Sequence, residues 1–574
     1  MADVSTATYF PFLLPSRFGS PSATAIHTTM SAALDQGDVD TATWFARTKE
    51  AEPTQVVVRV WDKFWKCIGE SGDYIDLTAT HPRNQTPVLT MKLKGTDPLI
   101  PVMRNCRKET VGITVEVGAL RWAYTVDSTS YKLESGQRTL QVNALGLFDY
   151  FSYLQVWPNS LLPLAAQIPS RAVFLGPIVT CVEIMIAEQA FRLQSGLWEL
   201  VNNALSLNVD WRTWFGNALE SRGNLLDMLN TPIYVVHTNP LIDTSPFVSF
   251  NARMESVAAI LDKVLKSYGV VVDIELWLPG DPQPDKWSRL RNPTYVVRVT
   301  DRSNVTGPTG SILDSITKQI VNLEGSVLGG VLEPFLNPQG EYAPVGVYIA
   351  PAIGVNYVQP WTLLIDHPRG PMENFEITDH HPQGYSIIIG GKSPKWFNDL
   401  INATTSWILD CIMIVIGLTG VPSDLFDGLF NDVLLSFQMV QNFNRRIEMG
   451  PYGRPEKFVA TGAAPYNVDA IFSFISALWD SRGYRSAIAE FRNGFPYSVG
   501  RDIWPGGMMS IAENGELYSD YVENIVITDN RRERCKVIVQ IGDGKAEEAP
   551  VARFQRLITG IQEGFNVLTL SPGQ

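Results

Sequence analysis

The residues of this chain that could bind a phosphate group lie in the segment Gly390-Gly391-Lys392-Ser393. A phosphate-binding loop needs its first glycine five places before the glycine that precedes the lysine, and Ser386 occupies that place. The loop must also open a helix, whereas Pro394 follows the segment directly. The spacing therefore argues against nucleotide binding.

Two groups of metal-type ligands are His367, Asp379, His380 and His381, and Asp35, Asp38 and Asp40. Neighbouring residues such as His380 and His381 point to opposite faces of an extended segment, so both can hardly bind one ion. We interpret the first group as a turn held by contacts between histidine and proline. The aspartate group lacks the spacing and the following glutamate of a calcium loop. We therefore predict no metal-binding residue.

Catalytic carboxylates for glycan hydrolysis must face each other across a cleft. Glu513 and Glu516 flank a predicted hairpin tip, and Asp543, Glu547 and Glu548 lie in a polar stretch, so all of them are expected to be solvated. No Gly-x-Ser-x-Gly motif occurs. The five cysteines are far apart, form no CxxC pair, and are expected to be reduced, mostly buried thiols of a protein made in cytoplasm. We predict no catalytic residue, no cofactor-binding residue and no enzymatic activity.

The composition describes a large, β-rich chain with few charges. It has 574 residues, a net charge of −13 and 18% charged residues, below the roughly 25% of a typical soluble chain. This deficit of lysine and arginine argues against a protein held stably on nucleic acid. It also suggests that other subunits cover part of the surface. The 44 glycines and 37 prolines are spread along the chain and indicate many turns.

The N-terminal part divides into an arm and a β region. Residues 1–50 contain Pro11, Pro15 and Pro21 without any periodic pattern, and we predict an assembly arm that docks on a partner or on the protein body. Residues 51–150 show alternating apolar residues and predict a β-barrel-like domain. Its predicted strands are Val56–Val60, Val88–Lys94, Gly112–Val117, Leu120–Val126 and Gln137–Val142.

The middle of the chain alternates between helical and strand patterns. Residues 151–250 are predicted as a helical insert, with Pro177 in the first turn of a helix, and residues 251–395 as an α/β domain. In the latter, an apolar stripe from Met254 to Tyr268 predicts a helix, and Val270–Leu278 and Tyr295–Thr300 predict strands. The tryptophans of segment 198–214 are typical of a core, with a sugar-binding platform as the alternative.

Residues 396–490 are predicted as a helical region, with helix over 398–449 interrupted at Gly420–Pro422 and a second helix from Asn467 to Gly483. The apolar run Cys411–Val421 is about half the length of a membrane span, which needs about 20 residues, so we predict a buried helix and no transmembrane span. Residues Met1 to Phe18 lack a basic stretch followed by a continuous apolar run, so they do not predict a signal peptide. Residues 491–574 are predicted as a C-terminal β region and tail, in which Tyr521–Thr528 and Cys535–Ile541 pair.

Together these patterns predict an α+β, multidomain fold of antiparallel β-barrel-like domains with inserted helical and α/β regions. The similar patterns of the two terminal β regions raise the hypothesis that they are two barrels of one kind.

Several segments resemble the minor tail proteins of long-tailed actinobacterial phages. The similar segments are Trp157–Ser160, Gln167–Pro169, Gly176-Pro177, Val299–Ser303, Gly307–Gly310, Gly390–Pro394, Leu425–Phe437, Tyr497–Asp502 and Ile541–Gly544. They are structural turns rather than catalytic signatures, and the resemblance covers residues 50 to 550.

The resemblance implies a hub-like fold and a structural virion protein, made in the host cytoplasm, that forms a homotrimer at the distal tip of the tail. Such a hub closes the tail tube below the distal tail protein ring. It contacts the tape-measure protein and other minor tail or receptor-binding proteins, and serves host attachment and DNA ejection. An acidic protein would also line a DNA duct without adhering to phosphate. The alternatives are a tail-associated cell-wall hydrolase and a glycan-binding adhesin.

Overall fold

A computed structural model describes most of the chain between residues 55 and 542. The described residues are 55–118, 120–134, 136–162, 164, 167–195, 233–265, 270–302, 305–306, 318–321, 348–351, 356–357, 362–367, 372–390, 437–460, 481–493, 497–513, 516–530, 532 and 534–542.

Strands make up most of the regular structure in this part of the chain. They are β1 (Val56–Trp61), β2 (Cys67–Glu70), β3 (Tyr74–Pro82), β4 (Val88–Lys94), β5 (Gly112–Val117), β6 (Leu120–Glu134), β7 (Gln137–Gly146), β8 (Ala172–Pro177), β9 (Ile233–Val235), β10 (Phe247–Ala252), β11 (Val270–Trp277), β12 (Thr294–Asp301), β13 (Val305–Thr306), β14 (Lys318–Val321), β15 (Tyr348–Pro351), β16 (Asn356–Tyr357), β17 (Leu363–Ile365), β18 (Met372–His380), β19 (Ser386–Gly390), β20 (Phe437–Gln441), β21 (Glu456–Ala460), β22 (Tyr484–Arg492), β23 (Met508–Glu513), β24 (Glu516–Asn530) and β25 (Lys536–Ile541).

The described helices are fewer and mostly short. They are α1 (Ile100–Arg104), α2 (Tyr150–Tyr153), α3 (Ile178–Ser195), α4 (Val257–Leu265) and α5 (Phe443–Met449), with 3₁₀ turns at Asn105–Arg107 and Leu147–Asp149.

The largest sheet combines strands from both ends of the chain. Its order is β18-β22-β25-β24-β3-β4-β7-β6-β5-β1-β2, with β23 paired to β24 and β17 paired to β23. Every pair along the main path is antiparallel, and β17 and β23 are parallel. The antiparallel pair β3–β24, with Ile527 opposite Ala79, joins the N-terminal to the C-terminal strands.

One apolar core lies against this sheet and takes residues from both ends of the chain. It includes Val58 and Leu77 from the N-terminal strands and Ile525, Val537 and Phe491 from the C-terminal strands, all almost fully buried. The alternating pattern of Val56, Val58 and Val60 places one face of β1 in this core, as the period of two requires. The two terminal β regions therefore share one sheet and one core.

A second unit contains both of the longer helices. Strands β11 and β12 are antiparallel, β12 is parallel to β9, and β8 pairs with β10. Helix α3 contributes Val182, Met185 and Ile186 to a second core, and α4 contributes Val257, Leu261 and Leu265. Pro177 is the last residue of β8, one position before α3 begins. The predicted helix and both predicted strands of the α/β region are thus present.

The two units meet at a small third cluster. It consists of Trp61, Trp65, Leu147, Leu276 and Leu278, which come from both units. The Trp65 indole nitrogen donates a hydrogen bond to the Tyr295 hydroxyl over 3.2 Å, and their rings meet edge-on. The contact between the units is therefore partly apolar.

Three sequence predictions are corrected in detail. Residues 437–441 form β20, which pairs with β19, so the prediction of helix up to residue 449 is wrong there; only α5 is helical in the described part of that stretch. Helix α4 begins at Val257, and Met254 has a positive φ of 58° and lies outside it. Residues 151–250 contain β8, β9 and β10 as well as helix.

The predicted fold class, α+β and multidomain with antiparallel β domains, is confirmed. The proposed domain boundaries remain a prediction. No helix in the described ranges has the length and apolarity needed to cross a bilayer. The arm at 1–50, the tryptophans of 198–214, the run Cys411–Val421 and the predicted helix start at Asn467 lie outside the described residues.

Candidate functional site

A cleft of about 420 Å³ lies where the large sheet meets the second unit. Three walls form it: the end of β3 with β6, strand β11 with the turn that follows it, and the loop at 499–505. Leu147, Phe148, Val296 and Arg298 complete the lining. The fold, rather than any local motif, brings these segments together.

Asn84 fixes one wall of the cleft to the other. It follows β3 and has a positive φ of 50°, which asparagine tolerates better than most residues. Its amide nitrogen donates to the carbonyl oxygen of Val270, and its amide oxygen accepts from the backbone nitrogen of Val272, both over 2.9 Å. One side chain thus acts as a strand partner for β11 and aligns that strand with the large sheet.

Asp273 on β11 is a carboxylate of the cleft that contacts two basic side chains. Arg302 Nη2 lies 2.6 Å from its Oδ2, and His81 Nε2 lies 3.9 Å from its Oδ1. Burial alone would raise the pKa of Asp273, but the contacts with His81 and Arg302 outweigh that effect and lower it. Asp273 is therefore held as a carboxylate.

Arg121 on β6 reaches across the cleft to the turn after β11. Its Nη1 lies 2.6 Å from Asp281 Oδ2, and Nη2 lies 3.4 Å from Asp281 Oδ1. Its Nε lies 3.4 Å from Glu116, which in turn contacts Arg59. A row of alternating charges therefore runs from the large sheet to the second unit.

The loop at 499–505 forms the third wall. The Arg302 guanidinium donates to the carbonyl oxygen of Pro505 over 2.5 Å and lies 5.4 Å from the centre of the Trp504 ring. Gly506 follows with φ of +74°, and a Cβ there would lie 2.2 Å from a methyl group of Val271. The backbone of this loop can approach β11 closely because residue 506 is glycine.

The described residues among those singled out from the sequence do not line this cleft; Asp35, Asp38, Asp40, Lys392, Asp543, Glu547 and Glu548 lie outside the described residues. Asp379 and His380 end strand β18, so the prediction of a turn is wrong for them. Asp379 pairs with Arg485 at 2.5 Å, and His380 stacks on Tyr484 with ring centres 4.1 Å apart. Glu513 pairs with Glu516 at the end of the β23–β24 hairpin, and Gly390 ends β19. Within the described ranges, no three His, Cys, Asp or Glu residues are arranged to hold a metal ion.

Sequence reasoning missed the cleft, although one signal was present. Asp273 and Glu275 interrupt the apolar strand Val270–Trp277 at alternate positions, which places both on one face of β11. Carboxylates inside an otherwise buried strand need partners. Those partners, His81, Arg298 and Arg302, are supplied by the fold.

Comparison with protein families gives one match over most of the chain. A family model described as Siphovirus ReqiPepy6 Gp37-like protein matches residues 57–543.

Two curated relatives are similar to this chain over part of their length. The Minor tail protein Gp28 of Mycobacterium phage D29 is 24% identical over 387 residues, which is 61% of this chain and 62% of the relative. The Minor tail protein Gp28 of Mycobacterium phage L5 is 23% identical over 396 residues, 64% of this chain and 61% of the relative. The matched region therefore spans about three fifths of each relative.

Solved structures also show distant similarity. A 43 kDa tail protein of prophage MuSo2 from Shewanella oneidensis aligns with 87% of this chain and 99% of its own, with a TM-score of 0.39 and 9% identity. A chain of the p2 virion baseplate in its activated conformation aligns with 85% of this chain and 100% of its own, with a TM-score of 0.32 and 11% identity.

Proposed function

We propose that this chain, which belongs to the family of Siphovirus ReqiPepy6 Gp37-like proteins, is a structural minor tail protein of an actinobacterial phage. The observation that carries the proposal is the family match over residues 57–543, which includes nearly every described strand and helix. The names of the two mycobacteriophage relatives support the same role.

Within the tail, we place the protein at the distal tip as a homotrimeric hub. In this role it closes the tail tube and contacts the distal tail protein ring, the tape-measure protein and receptor-binding proteins. The low fraction of charged residues supports a protein that is largely covered by neighbours in an assembly. The protein acts in the virion without a catalytic residue or a cofactor.

The other two functions considered from the sequence receive less support. A cell-wall hydrolase needs two carboxylates facing each other across the bond to be cleaved, whereas the carboxylates Asp273 and Asp281 of the cleft are bound to arginines. The adhesin hypothesis began from segment 198–214, which lies outside the described residues.

Gold-labelled antibodies raised against this protein test its position on intact phage particles. We expect one cluster of label at the tail end that is distal to the head. Label on the head, or absence of the protein from purified particles, would contradict the proposal. Mass photometry of the purified protein tests the homotrimer separately. A mass of one chain would contradict the trimer in solution and would leave the proposed position in the tail unaffected.

We further propose that residues 1–50 are an assembly arm. Phe10, Phe12, Leu13, Leu14 and Phe18 carry more apolar surface than a free segment would expose to water. Deletion of residues 1–50 should leave the cooperative melting transition of the isolated protein unchanged and reduce its incorporation into tails. Loss of the transition would show that the segment belongs to the protein's own core.

A further inference from the structure

The cleft between the two units is lined by aromatic rings from all three of its walls. Trp122 comes from β6, Trp277 from β11 and Trp504 from the loop at 499–505. The indole nitrogen of Trp277 is already bonded to the carbonyl oxygen of Pro282 over 2.9 Å, and Trp504 is 38% exposed. The Arg302 guanidinium lies over the Trp504 ring at 5.4 Å, and a ligand can contact the exposed remainder of the ring without displacing core side chains.

The charged groups of the cleft bind each other. Arg121 is paired with Asp281, Arg298 lies 3.6 Å from Glu275, and Asp273 is bound by Arg302. Because each carboxylate has its own cation, the cleft does not require an ion of either sign. Paired carboxylates and guanidinium groups still have free lone pairs and N–H groups, which can bind hydroxyl groups.

One buried nitrogen atom of the lining residues, Nδ1 of His81, lacks a hydrogen-bond partner among the described residues. Nε of Arg121 makes no well-aligned hydrogen bond either, but it is ion-paired with Glu116 at 3.4 Å. Buried polar atoms are normally hydrogen-bonded, so Nδ1 of His81 is the polar atom of the cleft that is open to a ligand. A hydroxyl group suits it, because a hydroxyl either donates to or accepts from an imidazole nitrogen.

From these three observations we propose that the cleft binds a neutral saccharide, with one sugar ring against the face of Trp504. The C–H face of a sugar ring suits an aromatic surface, and its hydroxyl groups suit the paired charges around it. The volume of about 420 Å³ lies within the range of small-molecule sites. This inference is independent of the tail function, since a tail protein need not bind sugar.

Isothermal titration of the full-length protein tests the proposal with maltose, cellobiose, lactose and N,N′-diacetylchitobiose as probes. We expect at least one of these neutral disaccharides to bind and to quench tryptophan fluorescence. The W504A variant should weaken that binding about tenfold or more, and W504F should restore most of it because the aromatic face returns.

Trp287 provides the matched control. It is 77% exposed and does not line the cleft, so W287A should bind the disaccharide as the unchanged protein does. Melting temperatures of all three variants should agree, which separates lost binding from lost structure. Absence of binding to all four probes, equal binding by W504A, or preference for glucuronate or glucosamine over the neutral sugars would each overturn the proposal.

Discussion

Glu183 is a carboxyl group that the second unit buries without a cationic partner among the described residues. It lies on α3, is 2% exposed, and accepts hydrogen bonds from the backbone nitrogen of Thr238 over 2.7 Å and from its hydroxyl over 2.8 Å. Burial raises the pKa of Glu183 to about 7, the bonds from Thr238 oppose the rise, and Asp243 adds to it. The folded protein therefore holds a proton here that the unfolded chain releases near pH 4.5.

This difference in pKa makes the stability depend on pH. Between pH 4.5 and about 7 the folded state binds more protons at Glu183 than the unfolded state, so this group's contribution to stability falls as pH rises. The E183Q variant mimics the protonated form of Glu183, so its stability should not fall in this pH range for this reason. Urea unfolding at pH 5 and pH 8 measures this difference. Between the two pH values, the free energy of unfolding of E183Q should rise by up to about 3 kcal/mol relative to that of the unchanged protein. Parallel pH profiles would contradict the assignment.

Asp273 has the opposite sign of pKa shift. Burial alone would raise the pKa of Asp273, but His81 and Arg302 lower it below the value of the unfolded chain. The Asp273 carboxylate therefore stabilises the folded state at pH values above the pKa of the unfolded chain. This stabilisation is lost as the pH falls through the pKa of the folded state. The D273N variant leaves Arg302 without its buried partner and should lower the free energy of unfolding at pH 7 by about 2–4 kcal/mol.

Asp379 serves as the exposed control for Asp273. Its pair with Arg485 is as short, at 2.5 Å, but the Asp379 side chain is 66% exposed. D379N should therefore cost about 0.5 kcal/mol or less. Similar losses in D273N and D379N would show that burial at the cleft does not strengthen the Asp273 pair.

At the scale of elements, the turn between β24 and β25 is held from inside by Asp529. This residue is 1% exposed and accepts hydrogen bonds from the Tyr74 hydroxyl on β3, from the backbone nitrogen of Cys535 over 2.9 Å and from Arg534 over 3.1 Å. Burial and the contact with Asp529 raise the pKa of Tyr74. The turn and the neighbouring strand therefore depend on one carboxylate.

Removing that carboxylate should destabilise the protein strongly. D529A leaves the Tyr74 hydroxyl and the Cys535 backbone nitrogen buried without this partner, and we expect a loss of about 2–4 kcal/mol in the free energy of unfolding. Asn530 is the neighbouring control, since its side chain accepts from the Arg532 backbone in an exposed setting over 2.8 Å. Urea unfolding should show a smaller loss for N530A; equal losses would contradict the role given to Asp529.

The strands were the most predictable elements because a period of two is a local property. Gly112–Val117 and Val88–Lys94 have the predicted bounds, and the β24–β25 pair lies where the hairpin pattern placed it. Phe437–Gln441 was misread as helix because its apolar residues fit a helical stripe, whereas pairing with β19 decides its conformation. The cleft was not predictable, since its three walls meet only through distant pairing.

At the scale of the whole molecule, the pairing of β3 with β24 decides how the chain divides. From the sequence, the similar patterns of residues 51–150 and 491–574 raised the hypothesis of two barrels of one kind. The structure places their strands in one sheet, and Leu77 and Ala79 of β3 share a core with Ile525 and Ile527 of β24. A contact over more than 400 residues leaves no local pattern, so only the folded chain reveals it.

The shared core predicts that residues 51–150 do not fold alone. Without β24, the edge of β3 from Asp76 to Pro82 would lose its backbone partners, and Leu77 and Ala79 would lose the apolar cover of Ile525 and Ile527. The isolated fragment should therefore lack a cooperative melting transition by circular dichroism. Fusing it through a flexible linker to residues 484–542, which supply β22 to β25, should restore one. A fragment 51–150 that melts as cooperatively alone as in the fusion would show that the N-terminal strands form an independent domain, and that the β3–β24 pair only docks two finished units.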